Sequence, residues 1–290
     1  MSWIGWSLAA LAMLAAAGAV RWRAILMRLI GAHIPRRAFA EHRALIAGHL
    51  QLRLPEGDGP FPVVLLLHGC GGPRDVMPAY AQTAVEAGIA AAIVNSLTPR
   101  GIDYETAVQE VCGGKRLWGR ERASDVYAAL DLLRRDPKID NKRIAIGGWS
   151  HGGWALLDAM ALARTNGRPD GLASCPEHPL DGVQGVFLVY PYAGFPAIAA
   201  RRAWTSGAPV HAILVKGDEK ADTDDAERVL QSAERDGAPV ERSWFEGVTH
   251  AFDEKTHRAD SALQYDEAAA RRLHALFADF LRKTLVKDAP

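Results

Sequence analysis

One ten-residue segment constrains this 290-residue chain more than any other part of it. It reads IAIGGWSHGG over residues 144–153, and an apolar stretch typical of a helix follows at residues 154–163. A G-x-S-x-G motif between a strand and a helix is typical of a nucleophile elbow, in which a tight turn exposes the serine hydroxyl. Gly148 and Gly152 flank Ser150 because side chains there would obstruct so sharp a turn. The chain contains 27 glycines, so the alternative is a glycine-rich loop between strand and helix that has no catalytic role.

Strand-like and helix-like patterns alternate along the rest of the chain. Apolar runs predict strands at residues 45–54, 63–67, 89–94, 144–147, 185–190, 211–215 and 242–245, and helical spacing predicts helices at residues 75–87, 119–135, 224–236 and 260–286. This alternation predicts one α/β domain with a mainly parallel sheet and helices on both faces. Ligands of such sheets bind beyond the carboxyl ends of the strands, where the Ser150 turn is expected.

The charge distribution limits the classes of partner. The net charge is zero, but residues 1–43 carry six arginines against Glu41 alone, which gives this segment +5 and the remainder −5. A nucleic-acid-binding domain would need Lys and Arg clustered on its folded surface, and the sequence contains no such cluster. It also contains no C-x-x-C or H-E-x-x-H spacing. We therefore expect no nucleic-acid partner, no metal site and no cofactor.

The N-terminus predicts a membrane segment. Residues 3–20 are uncharged, rich in alanine and leucine, and just long enough to span a bilayer. We therefore predict a membrane anchor or signal-like apolar helix over residues 1–23, a juxtamembrane linker over 24–43 and a catalytic domain over 44–290. The arginines that follow the apolar run favour a transmembrane or membrane-contact helix with the catalytic domain on the cytoplasmic side. The alternative is a signal peptide cleaved near residues 17–19, which read AGA, and export of the remainder.

The three cysteines do not form a disulfide framework, because their number is odd and small. Cys112 and Cys175 could pair in an oxidising compartment, and the sequence leaves this open. Cys70 lies in a glycine loop and could be interpreted as a nucleophile, but the elbow already presents Ser150.

A serine nucleophile needs a base and an orienting carboxylate, which in this kind of sheet follow it in the order acid, then histidine. His250 lies in a glycine-containing loop after the last predicted strand, so we predict that it is the base. His257 and His274 are the alternatives, but the first lies in a charged stretch and the second within the closing helix.

The acid is expected in the loop KGDEKADTDD at residues 216–225. Asp224 suits the N-cap of the following helix, and Asp225 suits its first turn, where the helix dipole favours negative charge. Asp222 comes just before that cap and is preferred as the catalytic acid. Asp218 lies nearer the strand end and is the main rival.

The developing oxyanion needs backbone N–H donors. One is expected from His151, which directly follows the nucleophile, and the other from Cys70 in the glycine loop HGCGG at residues 68–72. His68 is expected to orient this loop. Trp154 and Tyr192 are candidates for the wall of a substrate pocket, whereas Trp149 is expected in the core.

Several motifs in order resemble one known family. They are HGCGG at 68–72, TPRG at 98–101 with the later Val111-Cys112, Arg122 with Asp125, GWSHGG at 148–153 and HAF at 250–252. Together they resemble a dienelactone hydrolase-type member of the α/β-hydrolase superfamily over roughly residues 45–285. The resemblance implies an α/β-hydrolase fold, a triad of Ser150, an acid and His250, and a structural Arg122–Asp125 pair.

The chain departs from that family at two positions. The founding members carry cysteine at the elbow, so Ser150 favours a general ester over dienelactone. The family often places its acid in a G-x-x-D motif, whose last position is Lys220 here.

We therefore predict a serine hydrolase that cleaves a small-molecule carboxylic ester or lactone through an acyl-enzyme. Ser150, Asp222 and His250 form the predicted triad, and Cys70 and His151 form the predicted oxyanion hole. The alternatives are a serine peptidase of prolyl-oligopeptidase type and a non-catalytic α/β-hydrolase-like binding protein.

Overall fold

The computed structural model describes residues 34–205 and 207–286, together with residue 13 and the short stretches 18–23 and 26–27. The chain divides into two compact units, Met1–Arg36 and Arg37–Pro290, and the larger unit contains the sheet.

The apolar helix predicted over residues 1–23 lies largely outside the described residues. A helix needs about 20 consecutive, mostly apolar residues to cross a bilayer. None of the helices within the described ranges combines the length and hydropathy that crossing requires. The predicted transmembrane helix is therefore corrected: the part of the chain that the structure describes contains none.

The larger unit alternates strands and helices as predicted. Its strands are β1 (Leu50–Arg53), β2 (Phe61–Leu67), β3 (Ala90–Val94), β4 (Ile139–Trp149), β5 (Val183–Val189), β6 (Val210–Val215) and β7 (Val240–Phe245). Its longer helices are α1 (Phe39–Ala47), α2 (Val76–Glu86), α3 (Gly119–Arg135), α4 (His151–Arg164), α5 (Thr223–Arg235) and α6 (Glu267–Leu285). Three short helical turns lie between β3 and α3, at Thr98–Arg100, Tyr104–Thr106 and Ala107–Val111.

The strands form one seven-stranded sheet in the order β1-β3-β2-β4-β5-β6-β7. β1 pairs antiparallel with β3, and every other pair is parallel, which confirms the predicted mainly parallel sheet. The register sets Gly148 of β4 beside Leu67 of β2 and Leu188 of β5. The loops that follow β2, β4 and β5 therefore leave the same edge of the sheet.

Both faces of the sheet are covered, because neighbouring side chains along a strand point to opposite faces. Leu65 and Leu67 pack in a core with residues of α1, α3, α4 and α5. Leu66 packs in a second core with residues of α2 and α6. All three leucines are fully buried, and each such side chain contributes about 1.5–3 kcal/mol to stability relative to an exposed one.

Helix α1 belongs to the larger unit, whereas the sequence suggested a linker up to residue 43. The His42 ring and the Asp125 carboxylate are both buried, and their Nε2 and Oδ1 atoms lie 2.8 Å apart. Arg100 donates two hydrogen bonds to the same carboxylate. Burial alone would raise the pKa of Asp125, but Arg100 and His42 hold it well below its usual range. This buried charge cluster fastens α1 to α3.

Candidate active site

Ser150 occupies a strained turn between β4 and α4. Its φ is 51° and its ψ is −113°, a left-handed conformation that residues other than glycine rarely adopt. A Cβ atom on Gly152 would lie 2.1 Å from the carbonyl oxygen of Leu67, and one on Gly148 would lie 2.6 Å from the carbonyl oxygen of Gly152. The backbone therefore has the elbow geometry that the motif indicates.

Replacing Gly152 by alanine is expected to lower the free energy of unfolding by about 3 kcal/mol or more. The added methyl group would meet the backbone of β2, which cannot move without disturbing the centre of the sheet. Denaturant unfolding measures the change. Gly48→Ala is the matched control, because Gly48 has φ −73° and open space around its Cβ position. Equal losses in the two variants would contradict the steric argument.

His250 lies in the loop after β7 and connects two side chains. Ser150 Oγ lies 2.8 Å from His250 Nε2, and His250 Nδ1 lies 2.6 Å from Asp218 Oδ2. The His250 and Asp218 side chains are 7% and 1% exposed. A hydroxyl, an imidazole and a buried carboxylate in this order form the arrangement that activates a serine.

Asp218, and not the preferred acid Asp222, is the carboxylate that contacts His250 in this structure. The Asp222 side chain is exposed and accepts the N–H of Asp224 at 2.9 Å, which makes it the N-cap of α5. The sequence indicated Asp224 as the N-cap residue, whereas the helix is capped two residues earlier. With Asp224 in the capping role, Asp222 was left as the apparent catalytic acid.

Asp218 is held in place by the tight turn after β6. Its Oδ1 accepts the backbone N–H groups of Lys220 and Ala221 at 2.8 and 3.0 Å, which leaves Oδ2 for His250. Gly217, with φ 73°, makes the turn possible. The signal in the sequence is the Gly-Asp pair close to the strand end, in which the acid follows the glycine directly and not three positions later as in G-x-x-D.

The loop after β2 approaches the serine closely. A Cβ atom on Gly69 would lie 3.8 Å from Ser150 Cβ. His68 Nδ1–H donates to the carbonyl of Gly69 at 2.6 Å, so its Nε2 accepts the N–H of Ser96 at 3.1 Å. Burial lowers the pKa of His68 and keeps the ring neutral. His68 therefore orients the loop, as predicted, and has no free nitrogen to act as a base.

The two predicted oxyanion donors border the same cavity as Ser150. Cys70 and His151 both line this cavity. His151 is the first residue of α4, so its N–H has no carbonyl partner in a preceding helical turn.

The buried side chain of Arg122 contacts both the loop after β2 and the start of α4. Arg122 Nη1 donates to the carbonyl of His68 and to His151 Nδ1, each at 3.0 Å. Burial, and then the charge of Arg122, lowers the pKa of His151. The expected pairing of Arg122 with Asp125 is not a direct contact: Arg122 donates to Ser96, His68 and His151, whereas the partners of Asp125 include Arg100 and His42.

A disulfide joins Cys70 to Cys112, with 5.1 Å between their Cα atoms. Cys175 takes no part in it, so the suggested Cys112–Cys175 pairing is not formed. The bond ties the glycine loop after β2 to the helical turns between β3 and α3. Those turns carry a small apolar cluster of their own, which includes Leu97, Val111 and Leu117, and Cys70 packs against it.

Removing this disulfide is expected to lower the free energy of unfolding by about 4 kcal/mol, because the bond closes a long loop over a separation of 42 residues. The double variant Cys70→Ala/Cys112→Ala, compared with the oxidised parent in denaturant, measures the loss. Cys175→Ala is the matched control and should leave stability nearly unchanged. A double variant as stable as the parent would contradict this expectation.

The cavity beside Ser150 has a volume of about 760 Å³. Its walls include the aromatic rings of Tyr104, Trp118, Trp154 and Tyr192, and also His257. Trp154 and Tyr192 thus line the pocket as predicted. The alternative base His274 lies on α6, where it stacks on Tyr80.

Two carboxyl groups near this cavity have raised pKa values. Burial raises the pKa of Glu254, which pairs with Arg74, to about 7. Burial likewise raises the pKa of Asp158 to about 7, and this side chain accepts the indole N–H of Trp154 at 2.8 Å. Asp158 therefore holds one aromatic wall of the cavity in place.

Comparison with known structures identifies the fold. A dienelactone hydrolase-like promiscuous phosphotriesterase from metagenomic libraries superposes with a TM-score of 0.62 at 16% identity, covering 81% of this chain and 92% of that one. The dienelactone hydrolase of Anabaena variabilis gives 0.55 at 18% identity, covering 81% and 91%. Esterase 2 of Thermogutta terrifontis, phosphonylated by cyclosarin, gives 0.60 at 14% identity, covering 83% and 90%.

Two sequence comparisons complete the assignment. An uncharacterised 31.7 kDa protein of Escherichia coli, from the traX-finO intergenic region, is 31% identical over 113 residues, or 39% of this chain. That match spans 37% of the length of the E. coli protein. The profile of the dienelactone hydrolase family matches residues 50–285, which is most of the chain. The chain therefore belongs to the dienelactone hydrolase family.

Proposed function

We propose that the protein is an ester-bond hydrolase that cleaves carboxylic esters or lactones through an acyl-enzyme on Ser150. The observation that carries the proposal is the continuous hydrogen-bonded line from Ser150 through His250 to Asp218, beside a cavity of about 760 Å³. Membership of the dienelactone hydrolase family supports the same chemistry.

The first half of the reaction forms the acyl-enzyme. Ser150 Oγ attacks the carbonyl carbon of the ester while its proton moves to His250 Nε2. The N–H groups of Cys70 and His151 bind the oxyanion of the tetrahedral intermediate. When the intermediate collapses, the C–O bond to the alcohol breaks and His250 returns the proton to the leaving oxygen. In a lactone the leaving oxygen remains attached to the acyl chain.

The second half repeats these roles with water. His250 Nε2 removes a proton from water as the water oxygen attacks the acyl carbon, and the acid product leaves when Ser150 Oγ regains its proton. The Asp218 carboxylate keeps the proton on His250 Nδ1 and stabilises the imidazolium that forms in each half. These steps require no cofactor.

We place the catalytic domain at residues 37–290 rather than 44–290. The contact of His42 with Asp125 supports this boundary, because α1 then contributes a buried partner to the charge cluster beneath the site.

Labelling the full-length chain with a fluorophosphonate, followed by intact-mass measurement and peptide mapping, tests the proposal. An activated serine should give one adduct, located on Ser150, and urea-unfolded protein should give none. The phosphonylated state of the Thermogutta esterase supports this choice of reagent. A folded protein that neither forms the adduct nor hydrolyses any of a set of short esters and lactones would contradict the proposal.

The same screen separates the alternatives. A peptidase of prolyl-oligopeptidase type would cleave peptide amides faster than esters, and a binding protein would retain ligands without turnover. A binding protein has no need of an acid beside His250. Lys220 occupies the position at which the family often places that acid, but Asp218 supplies His250 with a carboxylate instead.

A further inference from the structure

Asp253 is a buried carboxylate three residues after His250, and the proposed reaction does not use it directly. It is 5% exposed. Its Oδ1 accepts a hydrogen bond from the hydroxyl of Tyr190 at 2.5 Å. Its Oδ2 accepts hydrogen bonds from the hydroxyl of Tyr80 at 2.8 Å and from the indole N–H of Trp149 at 3.1 Å.

The three donors are neutral groups, two phenol hydroxyls and an indole N–H. Desolvating a carboxylate is costly unless hydrogen bonds compensate, and the three donors supply hydrogen bonds to both of its oxygens. Burial raises the pKa values of Tyr80 and Tyr190, which keeps both hydroxyl groups protonated as donors. A carboxylate suits this site better than an amide, because an amide nitrogen would face a donor.

The three donors come from three different elements that meet at the site. Tyr80 belongs to α2, Trp149 ends β4 immediately before Ser150, and Tyr190 directly follows β5. Asp253 therefore connects the histidine loop to the strand that carries the nucleophile and to the neighbouring strand end.

Tyr190 is the connection between Asp253 and the catalytic base. Its ring centroid lies 4.5 Å from that of His250, at an interplanar angle of 57°. Its φ is 35°, and the φ of Ala251, directly after His250, is 54°. Two non-glycine residues in left-handed conformations beside the same imidazole indicate that tertiary contacts hold the histidine loop in shape.

We propose that Asp253 is a positioning residue for catalysis, acting through Tyr190 to fix the ring of His250 between Ser150 and Asp218. This inference rests on the proposed function, since it assigns a purpose to the position of His250. The Asp253 carboxylate accepts a hydrogen bond from the Tyr190 hydroxyl, and the Tyr190 ring packs against the imidazole of His250. The loop from His250 to Asp253 is therefore held in place at both of its ends.

The test is Tyr190→Phe, which keeps the ring against His250 and removes only the hydroxyl that Asp253 holds. Loss of that anchor should lower kcat for the best ester about 10- to 100-fold with little change in KM, because a displacement of about 1 Å in catalytic geometry can cost 100-fold in rate. Asp253→Asn should lower kcat at least as much if it folds.

Tyr127→Phe is the matched control. Tyr127 is buried, as Tyr190 is, and its hydroxyl donates to the carbonyl of Ala159 at 2.7 Å, between α3 and α4. The two variants should lose similar amounts of stability, whereas only Tyr190→Phe should lose activity. A second readout is the downfield proton resonance of His250 Nδ1–H bonded to Asp218, which should shift or broaden in Tyr190→Phe and remain unchanged in Tyr127→Phe.

The outcomes separate the two proposals. A parent protein without esterase activity or fluorophosphonate labelling would refute the proposed function itself. An active parent whose Tyr190→Phe variant keeps its kcat and its His250 resonance would refute the positioning role alone. Equal losses of kcat in Tyr190→Phe and Tyr127→Phe would also refute it, because they would trace the effect to general stability.

Discussion

Replacing Ser150 by alanine is expected to lower kcat for ester hydrolysis about a hundred-thousandfold or more. The variant loses the oxygen atom that forms the acyl bond in the proposed reaction, and His250 alone cannot supply a covalent route. The cavity wall changes by one hydroxyl, so KM should change little. Steady-state kinetics with the best ester of the screen measures the effect, and the fluorophosphonate adduct should disappear with it.

Ser243→Ala is the matched control for that substitution. The Ser243 hydroxyl lies on β7 and contacts His211 Nε2 at 2.9 Å, away from the cavity. Its removal should leave kcat and labelling unchanged. Ester hydrolysis that persists at the parental rate in Ser150→Ala would mean that another group performs the attack, and the elbow would lose its assigned role.

Replacing Asp218 by asparagine is expected to lower kcat about ten-thousandfold. Asparagine fills the same space but no longer holds the proton on His250 Nδ1, and it cannot stabilise the imidazolium that forms in both halves of the proposed reaction. Binding of the ester depends on the cavity walls, so KM should change far less than kcat. The loss should appear at every pH at which the parent is active.

Asp222→Ala decides between the acid chosen from the sequence and the acid found in the structure. Its only described role is to cap α5, so we expect a loss of about 1 kcal/mol in stability and a kcat close to that of the parent. A large fall in kcat for Asp222→Ala together with a small one for Asp218→Asn would reverse the assignment.

The order of strands and helices was predictable because it depends on local patterns. The run Val63–Leu67 and the helix Gly119–Arg135 could be located from the spacing of apolar residues alone. A strand that is buried on both faces is apolar throughout, and a helix that is buried on one face has apolar residues at helical spacing. The membership of α1 in this domain could not be predicted in the same way. It depends on the contact of His42 with Asp125, which lies 83 positions away along the chain.

The sequence by itself determined most residues of the candidate site: a serine at an elbow whose glycines are required sterically, a histidine after the last strand, and a glycine loop after the second. Only the tertiary structure decided which acid serves His250 and which cysteine pairs with Cys112. Asp218 and Asp222 lie in one acidic loop, and the sequence suggested Cys175 rather than Cys70 as the partner of Cys112. In each case the residue that makes the contact is determined by distances across the edge of the sheet. Those distances are set by how β2, β4, β6 and β7 align, and no local sequence pattern encodes that alignment.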